Sequence, residues 1–248
     1  MAALSTAVRT PFNVAHGAHQ LHGGIWGPTA DTMPRLLSLH GGGVATDHRR
    51  VDYLLQPLAA QGFAAAAFDC VGHGATGGSL MGSSLADRHA QATTVAEHLG
   101  FGYTHRPLAL MGTSMGGHTA CQLLDSLQPR ALVLFCPAAY TAAAEHQPFG
   151  PAFQQTLRAT TDFADAPAWA ALRRFRGRLL LVWGTEDAVI PPAVVQGYSD
   201  AARSARSVDM VRLPGVGHAL HVWLQAQPVP AMALQQRIAT LLAAADRD

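Results

Sequence analysis

Short runs of apolar residues alternate along the chain with longer stretches in which apolar residues recur at helical spacing. Runs of this length that are apolar throughout are typical of strands buried on both faces, as in parallel sheets covered by helices. We therefore predict a series of strands, buried on both faces where they are uniformly apolar. They are Arg35–Leu39, Gly62–Phe68, Pro107–Met111, Arg130–Cys136, Arg178–Trp183 and Ser207–Leu213.

The stretches between these strands predict helices, because their apolar residues fall on one face. Pro191 stands near the start of one of them, where proline is tolerated. The alternation of strands and helices predicts an α/β fold with an open, doubly wound and mostly parallel sheet. We expect Thr6–Ile25 to add one or two antiparallel strands at one edge. The predicted helices are Val51–Gln61, Leu85–Leu99, Met115–Leu127, Pro191–Ala205 and Pro230–Ala244.

The segment between the fourth and fifth predicted strands breaks this rhythm, since it contains about forty residues where a bare crossover needs roughly a dozen to twenty. Two short helices fit it, Pro151–Thr161 and Ala166–Arg174. We predict one domain over residues 1–248 with a short lid at about 141–176. Such a lid would cover the carboxyl ends of the strands, where open α/β sheets bind ligands. An ordinary crossover helix with a loose loop is the alternative.

Composition supports one large core, because 49% of the residues are hydrophobic and 13% are charged, which excludes a disordered chain. The 17 basic and 16 acidic residues are interspersed and give a net charge of +1. No basic stripe indicates a nucleic-acid partner, and no acidic tail indicates a cationic one. The oligomeric state is left open.

The chain has no apolar run near the roughly 18 residues of a membrane span, so no membrane span is predicted. Residues Met1–Thr10 lack the pattern of a secretory signal. Cys70, Cys121 and Cys136 are odd in number, have no metal-like spacing and lie in apolar surroundings, which predicts buried thiols in a reducing compartment. We therefore expect a cytoplasmic protein.

Residues 112–116 read Gly-Thr-Ser-Met-Gly and match the pattern G-x-S-x-G. A predicted strand precedes the pattern and a predicted helix follows it, which is the setting of a nucleophile elbow. The elbow would present the Ser114 hydroxyl at a helix N-terminus, where backbone N–H groups favour negative charge. A glycine-rich turn that binds a phosphate or packs tightly is the alternative.

Residues 40–43 read His-Gly-Gly-Gly and follow an earlier predicted strand. Acyl transfer needs two N–H donors for the oxyanion of its tetrahedral intermediate. We predict the N–H of Met115, directly after the serine, as one donor. The glycine run is expected to supply the other, with Gly42 as first choice and Gly41 as second. His40 is predicted to be a buried structural histidine.

Asp187 follows the strand that ends at Trp183, and a carboxylate in that loop would face the elbow. Glu186 is its rival, and Asp162 and Asp165 are weaker ones. Two histidines compete as the base. His218 lies in a glycine-flanked loop that could bring its ring to the serine, and His221 is the alternative. The order Ser, Asp, His is typical of α/β-hydrolases.

Five segments together resemble the landmarks of the α/β-hydrolase superfamily, and most closely its small esterase, monoacylglycerol-lipase-like and serine-aminopeptidase-like branch. The resemblance implies an eight-stranded sheet, a triad of Ser114, His218 and Asp187, and an oxyanion hole at Gly42 and Met115. Thr113 departs from the His, Asp or Gln that many relatives have before the nucleophile. The five segments are Leu-His-Gly-Gly-Gly at 39–43, Phe-Asp-Cys-Val-Gly-His-Gly at 68–74, Gly-Thr-Ser-Met-Gly-Gly at 112–117, Trp-Gly-Thr-Glu-Asp at 183–187 and Pro-Gly-Val-Gly-His at 214–218.

These features predict a serine hydrolase that cleaves a small or medium carboxylic ester through an acyl-enzyme on Ser114, without a metal or an organic cofactor. The expected partner is a small-molecule acyl substrate, held by Gly41 and by an apolar pocket of Phe149, Phe153 and Trp223. Thioesterase, acyltransferase and C–C hydrolase activities are alternatives within the enzymes. A ligand-binding protein that keeps the fold without catalysis is an alternative of another class.

Overall fold

A computed structural model describes residues 7–248. Over these residues eight strands form one sheet, in the order β1-β2-β4-β3-β5-β6-β7-β8. The β1–β2 and β2–β4 pairs are antiparallel, and the remaining pairs are parallel. The strands are β1 (Val8–His16), β2 (His19–Gly27), β3 (Leu36–Leu39), β4 (Ala65–Phe68), β5 (Ala109–Thr113), β6 (Ala131–Phe135), β7 (Arg178–Gly184) and β8 (Ser207–Leu213).

Helices cover both faces of this sheet. Helices α1, α8 and α9 pack together on one side, and α2, α3, α6 and α7 contact one another in succession on the other. Their bounds are α1 (Asp52–Ala60), α2 (Leu85–His98), α3 (Met115–Gln122), α4 (Leu124–Leu127), α5 (Pro151–Ala159), α6 (Pro167–Leu172), α7 (Pro192–Ala201), α8 (Leu220–Gln225) and α9 (Pro228–Asp246). The predicted doubly wound, mostly parallel sheet is confirmed.

The apolar runs form the central strands, as the pattern predicts. Every residue of β3, β4 and β6 is buried, because each of these strands has neighbours on both sides and helices on both faces. The predicted strand Gly62–Phe68 begins later, at Ala65, since Gly62 has a φ of 91° and ends the turn after α1. The antiparallel edge is present as β1 and β2, and Thr6 lies outside the described residues.

Two helices differ from their predictions. The predicted helix Met115–Leu127 is divided at Leu123 into α3 and α4. Helix α8 was not predicted, because its six residues follow directly on a glycine-rich loop and are too few for a clear period. Both differences leave the order of the fold unchanged.

The two helices predicted for the long connection are present but lie in different places. Helix α6 contacts α3 and α7 and is part of the helical layer on the sheet. Helix α5 contacts instead the 3-10 turn Ala142–Ala144, and its buried residue is Phe153. A lid therefore remains a prediction only for the part of the connection around α5, since α6 has the packing of a crossover helix.

Candidate active site

Ser114 stands between β5 and α3 in a strained conformation, with φ 51° and ψ −118°. Residues other than glycine rarely adopt a positive φ, and such strain persists only where the surroundings enforce it. The N–H of Ser114 donates to Phe135 O at 2.9 Å, and its carbonyl accepts from the N–H of Ala138 at 3.0 Å. Strand β6 and the loop after it therefore hold the turn in place.

Glycines next to Ser114 are required by close approach. A Cβ on Gly112 would lie 2.5 Å from Gly116 O, and a Cβ on Gly116 would lie 2.2 Å from Leu39 O. Neither distance is possible for a real side chain, so the helix can follow the strand this tightly only with glycine at both positions. The geometry is that of the predicted nucleophile elbow.

His218 joins Ser114 to Asp187. Its Nε2 lies 3.0 Å from Ser114 Oγ, and its Nδ1 lies 2.8 Å from Asp187 Oδ2. Because a carboxylate only accepts hydrogen bonds, Nδ1 carries the proton, and Nε2 is left to accept from the serine hydroxyl. The side chain of His218 is 26% exposed, whereas that of Asp187 is 4% exposed. The three side chains predicted as a triad thus form one hydrogen-bonded chain that opens to solvent at His218 and Ser114.

The rival carboxylates lie elsewhere. Glu186 is exposed, and only its backbone N–H is engaged nearby, in a bond to Val216 O. Asp162 and Asp165 are exposed in the long connection. The second oxygen of Asp187 accepts the N–H groups of Val189 and Ile190 at 2.8 and 2.9 Å. These bonds fix the Asp187 carboxylate and leave its other oxygen for His218.

His221, the alternative base, has both ring nitrogens engaged by hydroxyl groups. Its Nε2 lies 2.7 Å from Thr113 Oγ1, and its Nδ1 lies 2.9 Å from the hydroxyl of Tyr53. Burial, with a smaller contribution from the charge of Arg50, lowers the pKa of His221 to about 3. His221 is therefore neutral and structural, and it is the bonding partner of Thr113, directly before Ser114. The Tyr53–His221–Thr113 bridge was not anticipated from the sequence.

The glycine loop, residues 40–43, packs against the elbow. A Cβ on Gly41 would lie 3.4 Å from Ser114 Cβ, and a Cβ on Gly42 would lie 2.8 Å from Met115 Cε. Both glycines bring their backbone beside Ser114, and Met115 begins α3 directly after it. The structure thus brings together the backbone groups that were predicted to face an oxyanion.

Two buried side chains, His40 and Arg88, hold this loop. His40 Nε2 accepts the N–H of Cys70 at 3.0 Å, so its Nδ1 carries the proton and donates to Gly41 O at 2.6 Å. Arg88 Nη2 donates to His40 O at 2.7 Å and reaches Gly41 O at 3.4 Å. Burial, followed by the charges of Arg88 and His73, lowers the pKa of His40, which is neutral and structural as predicted.

Arg88 was missed from the sequence although a signal exists. It is 2% exposed and shares the buried face of α2 with Leu85, Ala92 and Val95. A charged residue on an apolar helical stripe is unusual unless it has a specific bonding partner. Two of its nitrogens, Nε and Nη1, have no partner among the described residues. Arg88 is thus a buried cation whose bonds go to the carbonyls of the glycine loop.

A cavity of about 470 Å³ opens beside Ser114. Of the four residues predicted to hold the substrate, Gly41 lines this cavity, and Phe149, Phe153 and Trp223 do not. Phe149 and Phe153 pack edge to face at 4.9 Å in the core, and Trp223 packs against the core from α8. This Ser114 cavity is lined by Gly41, Gly42, Gly43, Val44, Ala45, Thr46, Arg50, Thr113, Ser114, His218, Ala219, Leu220, His221 and Val222.

Among the described residues, one group of three side chains is close enough to share a metal ion: Cys136, Asp187 and His218, whose ligand atoms lie within 4.8 Å of one another. Asp187 and His218 are already hydrogen-bonded to each other, and burial raises the pKa of the Cys136 thiol. The structure therefore accounts for these three residues as part of the Ser114 site.

No helix in residues 7–248 combines the length and the apolar character that crossing a bilayer requires.

Comparison with solved structures shows the same fold across nearly the whole chain. The thioesterase domain from the curacin biosynthetic pathway is 19% identical, with a TM-score of 0.66, and the match covers 94% of this chain and 99% of that one. Est1E from Butyrivibrio proteoclasticus, with ferulic acid bound, is 16% identical with a TM-score of 0.69 and the same coverage. The 2-hydroxy-6-oxo-6-phenylhexa-2,4-dienoate hydrolase of Rhodococcus sp. strain RHA1 is 15% identical with a TM-score of 0.63, covering 94% and 100%. At these identities the likeness concerns the fold.

No curated protein sequence matches the chain. The sequence model of the serine aminopeptidase family S33 matches residues 34–164, just over half of the chain. That match contains the glycine loop, the elbow and the strands that carry them. The protein therefore belongs to the serine aminopeptidase S33 family of the α/β-hydrolase superfamily, and it is a hydrolase.

Proposed function

We propose that the protein is a serine hydrolase that cleaves a small or medium carboxylic ester through an acyl-enzyme on Ser114. The observation that carries this proposal is the hydrogen-bonded chain from Ser114 Oγ through His218 to Asp187, with links of 3.0 and 2.8 Å. The serine in this chain stands on a strained elbow beside an open cavity. A serine that served only packing would need neither the base nor the opening.

In the proposed mechanism, His218 Nε2 takes the hydroxyl proton as Ser114 Oγ attacks the acyl carbonyl. Asp187 keeps the proton on Nδ1 and stabilises the imidazolium that forms. The N–H groups of Met115 and Gly42 stabilise the oxyanion of the tetrahedral intermediate. His218 then gives its proton to the departing alcohol. Water, activated by the same histidine, releases the acid from the acyl-enzyme.

The size of the substrate follows from the Ser114 cavity. Its volume of about 470 Å³ lies within the usual range of roughly 300–1,000 Å³ for small-molecule sites. The connection around α5 is short for a cover over a long chain, and we propose it as a small lid. These features favour short and medium acyl groups, so activity on a series of aryl esters should decline beyond medium chain length.

The first test is labelling by a fluorophosphonate probe, with the modified residue located by mass spectrometry. Wild-type protein is expected to carry the label on Ser114, and Ser114→Ala is expected to fold and carry none. Ser126→Ala is the matched control, because that hydroxyl lies on α4 and donates to Leu123 O away from the site. Absence of label from folded wild-type protein would contradict the proposal and favour a ligand-binding role.

The bond that is cleaved is tested next with an ester and a thioester of the same acyl group. Both react through the same intermediate, so only the first step differs between them. A higher kcat/KM for the ester, together with equal deacylation, is the expected result. Preference for the thioester would replace the esterase assignment by a thioesterase one.

We also propose a cytoplasmic location. All three cysteines are free and buried, which fits a compartment that keeps thiols reduced. Fractionation of cells that express the untagged protein from its own gene is the test, and recovery outside the cytoplasm would overturn the proposal.

A further inference from the structure

We propose that the substrate carries a negatively charged group, such as a carboxylate, and that Arg50 recognises it in the Ser114 cavity. The inference rests on the proposed function and specifies its substrate class. It concerns the half of the ester that occupies this cavity, away from the bond that is cleaved.

The wall of the cavity is mostly apolar and has one permanent charge. Backbone of the glycine loop and the side chains of Val44, Leu220 and Val222 form much of the surface. No aspartate or glutamate lines it, and its ionisable side chains are Arg50 and two histidines. Ligand sites of this kind are typically apolar with a few polar groups that fix orientation. Arg50 is the charged group available for that purpose.

The guanidinium of Arg50 is only partly used by the protein. Its Nη2 donates to Ala45 O at 3.1 Å, and it has no carboxylate partner among the described residues. Arginine has five N–H donors, so most of its bonding capacity remains for a ligand. The adjacent Arg49 differs, because its Nε lies 3.5 Å from Asp52 Oδ2 and it is not in the cavity wall.

The charge of Arg50 also reaches the interior of the site. After burial, it is the second cause of the lowered pKa of His221, and His221 is bonded to Thr113 beside the nucleophile. Arg50 also lines the small inner cavity behind the glycine loop, together with His40 and Thr113. Arg50 therefore lines both cavities and lies near enough to the elbow for its charge to act on His221. A planar guanidinium in such a place matches a carboxylate in two-point contact.

The test uses two pairs of esters, each with one anionic and one neutral member of similar size. For the acyl half, these are mono-p-nitrophenyl adipate and methyl p-nitrophenyl adipate, in which a methyl ester replaces the free carboxylate. For the alcohol half, they are para-acetoxybenzoate and its methyl ester. The values of kcat/KM are measured for wild type, Arg50→Gln and Arg50→Lys. Arg49→Gln is the matched control, because it removes a neighbouring charge outside the cavity.

In one of the two pairs, we expect wild type to prefer the anionic member by about 10- to 100-fold, the worth of a charge-assisted contact. Arg50→Gln should lose this preference, because its kcat/KM should fall about 10- to 100-fold more for the anionic member than for the neutral one. Arg50→Lys should retain part of it, and Arg49→Gln all of it. The preference should weaken as salt is added, since the cavity is open to solvent.

The proposal is overturned if Arg50→Gln slows both members equally, or if wild type has no preference in either pair. If no ester is turned over and Ser114 takes no label, the proposed function fails instead. Binding then still decides the inference, through the thermal stabilisation of the protein by adipate monomethyl ester. Stabilisation of wild type but not of Arg50→Gln would support the anion site, and equal or absent stabilisation of both would reject it.

Discussion

Two histidines three positions apart, His218 and His221, have opposite surroundings at the two ends of one short segment. His218 is partly exposed and has a carboxylate on one nitrogen and the Ser114 hydroxyl on the other. His221 is buried and has a hydroxyl on each nitrogen. One ring can gain a proton next to a stabilising anion, and the other would gain it in an apolar interior with no anion beside it.

The difference teaches that the group bonded to Nδ1 decides whether a histidine can accept a proton on Nε2. A carboxylate stabilises the imidazolium, so His218 can act as a base. Tyr53 on His221 offers no such charge, and burial keeps that ring neutral. Both residues lie in the same stretch of sequence, and only the bonds made by more distant elements separate their roles.

The largest expected effect tests this comparison directly. Replacing His218 by Ala should lower kcat by about 10⁴-fold or more, because the serine loses its base. The equivalent change at His221 should leave most of the activity, provided that the protein is folded. Both are measured by acyl-enzyme formation in a single turnover, with circular dichroism as the control. Equal losses in the two variants would remove the distinction.

The next effect concerns the carboxylate. Asp187→Asn should lower kcat by about 10³- to 10⁴-fold, because an amide can favour the wrong tautomer of His218. Glu186→Gln is the matched variant, since it neutralises the adjacent exposed residue. It should change kcat less than about twofold, as surface substitutions do. A large loss in Glu186→Gln would contradict the geometry described for Asp187.

A smaller effect on kcat is expected from Arg88, which donates to the carbonyl of the other neutral histidine, His40. Arg88→Met should lower kcat by about 10- to 100-fold with KM little changed, because the carbonyls of the glycine loop lose their donor and its N–H groups lose their alignment. Stability should be kept or raised, since a buried charge without a carboxylate partner is removed.

Arg158→Met, on the exposed side of α5, is the control for the loss of one arginine. Steady-state kinetics and urea unfolding are measured on both proteins. Lower stability in Arg88→Met with unchanged kcat in the folded fraction would show that Arg88 supports the fold and not the oxyanion site.

The smallest effect is on stability alone. The pKa of His221 is lowered from its ordinary 6.5 to about 3 by burial and then by Arg50. Between these values the unfolded chain binds a proton that the folded protein excludes, so the free energy of unfolding falls by about 1.4 kcal/mol for each unit by which the pH is lowered. His221→Gln should make the free energy of unfolding depend less on pH between about 6.5 and 4. Identical slopes in urea unfolding of the two proteins would contradict a buried neutral His221.

The sequence predicts the fold and the elbow well because both are local. Apolar runs such as Arg130–Cys136 define buried strands wherever they occur, and Gly112 and Gly116 mark a turn that no other residue permits. The fold and the elbow depend on neighbours in the sequence, which a single chain displays. Chain position does not choose between Asp187 and Glu186, because both lie just beyond a strand, and only the contact with His218 separates them.

The cavity could not be predicted in the same way. Its wall joins the loop after β3 to the loop after β8 and the start of α8, and Arg50 enters it from the 3-10 turn His48–Val51 that precedes α1. The aromatic side chains of Phe149 and Phe153 suggested a pocket, but both are buried in the core, Phe153 on α5 and Phe149 just before it. Side-chain type predicts burial, and it does not tell which buried or exposed surface a distant loop will meet.

The positive φ of Ser114 has a counterpart in Cys136, with a φ of 38°, at the end of the adjacent strand. Each such residue costs about 1–3 kcal/mol relative to a relaxed backbone. Glycine at Ser114 would relieve this strain, and it would also remove the hydroxyl that we propose as the nucleophile. At the elbow, stability and the proposed activity therefore make opposite demands on the same residue.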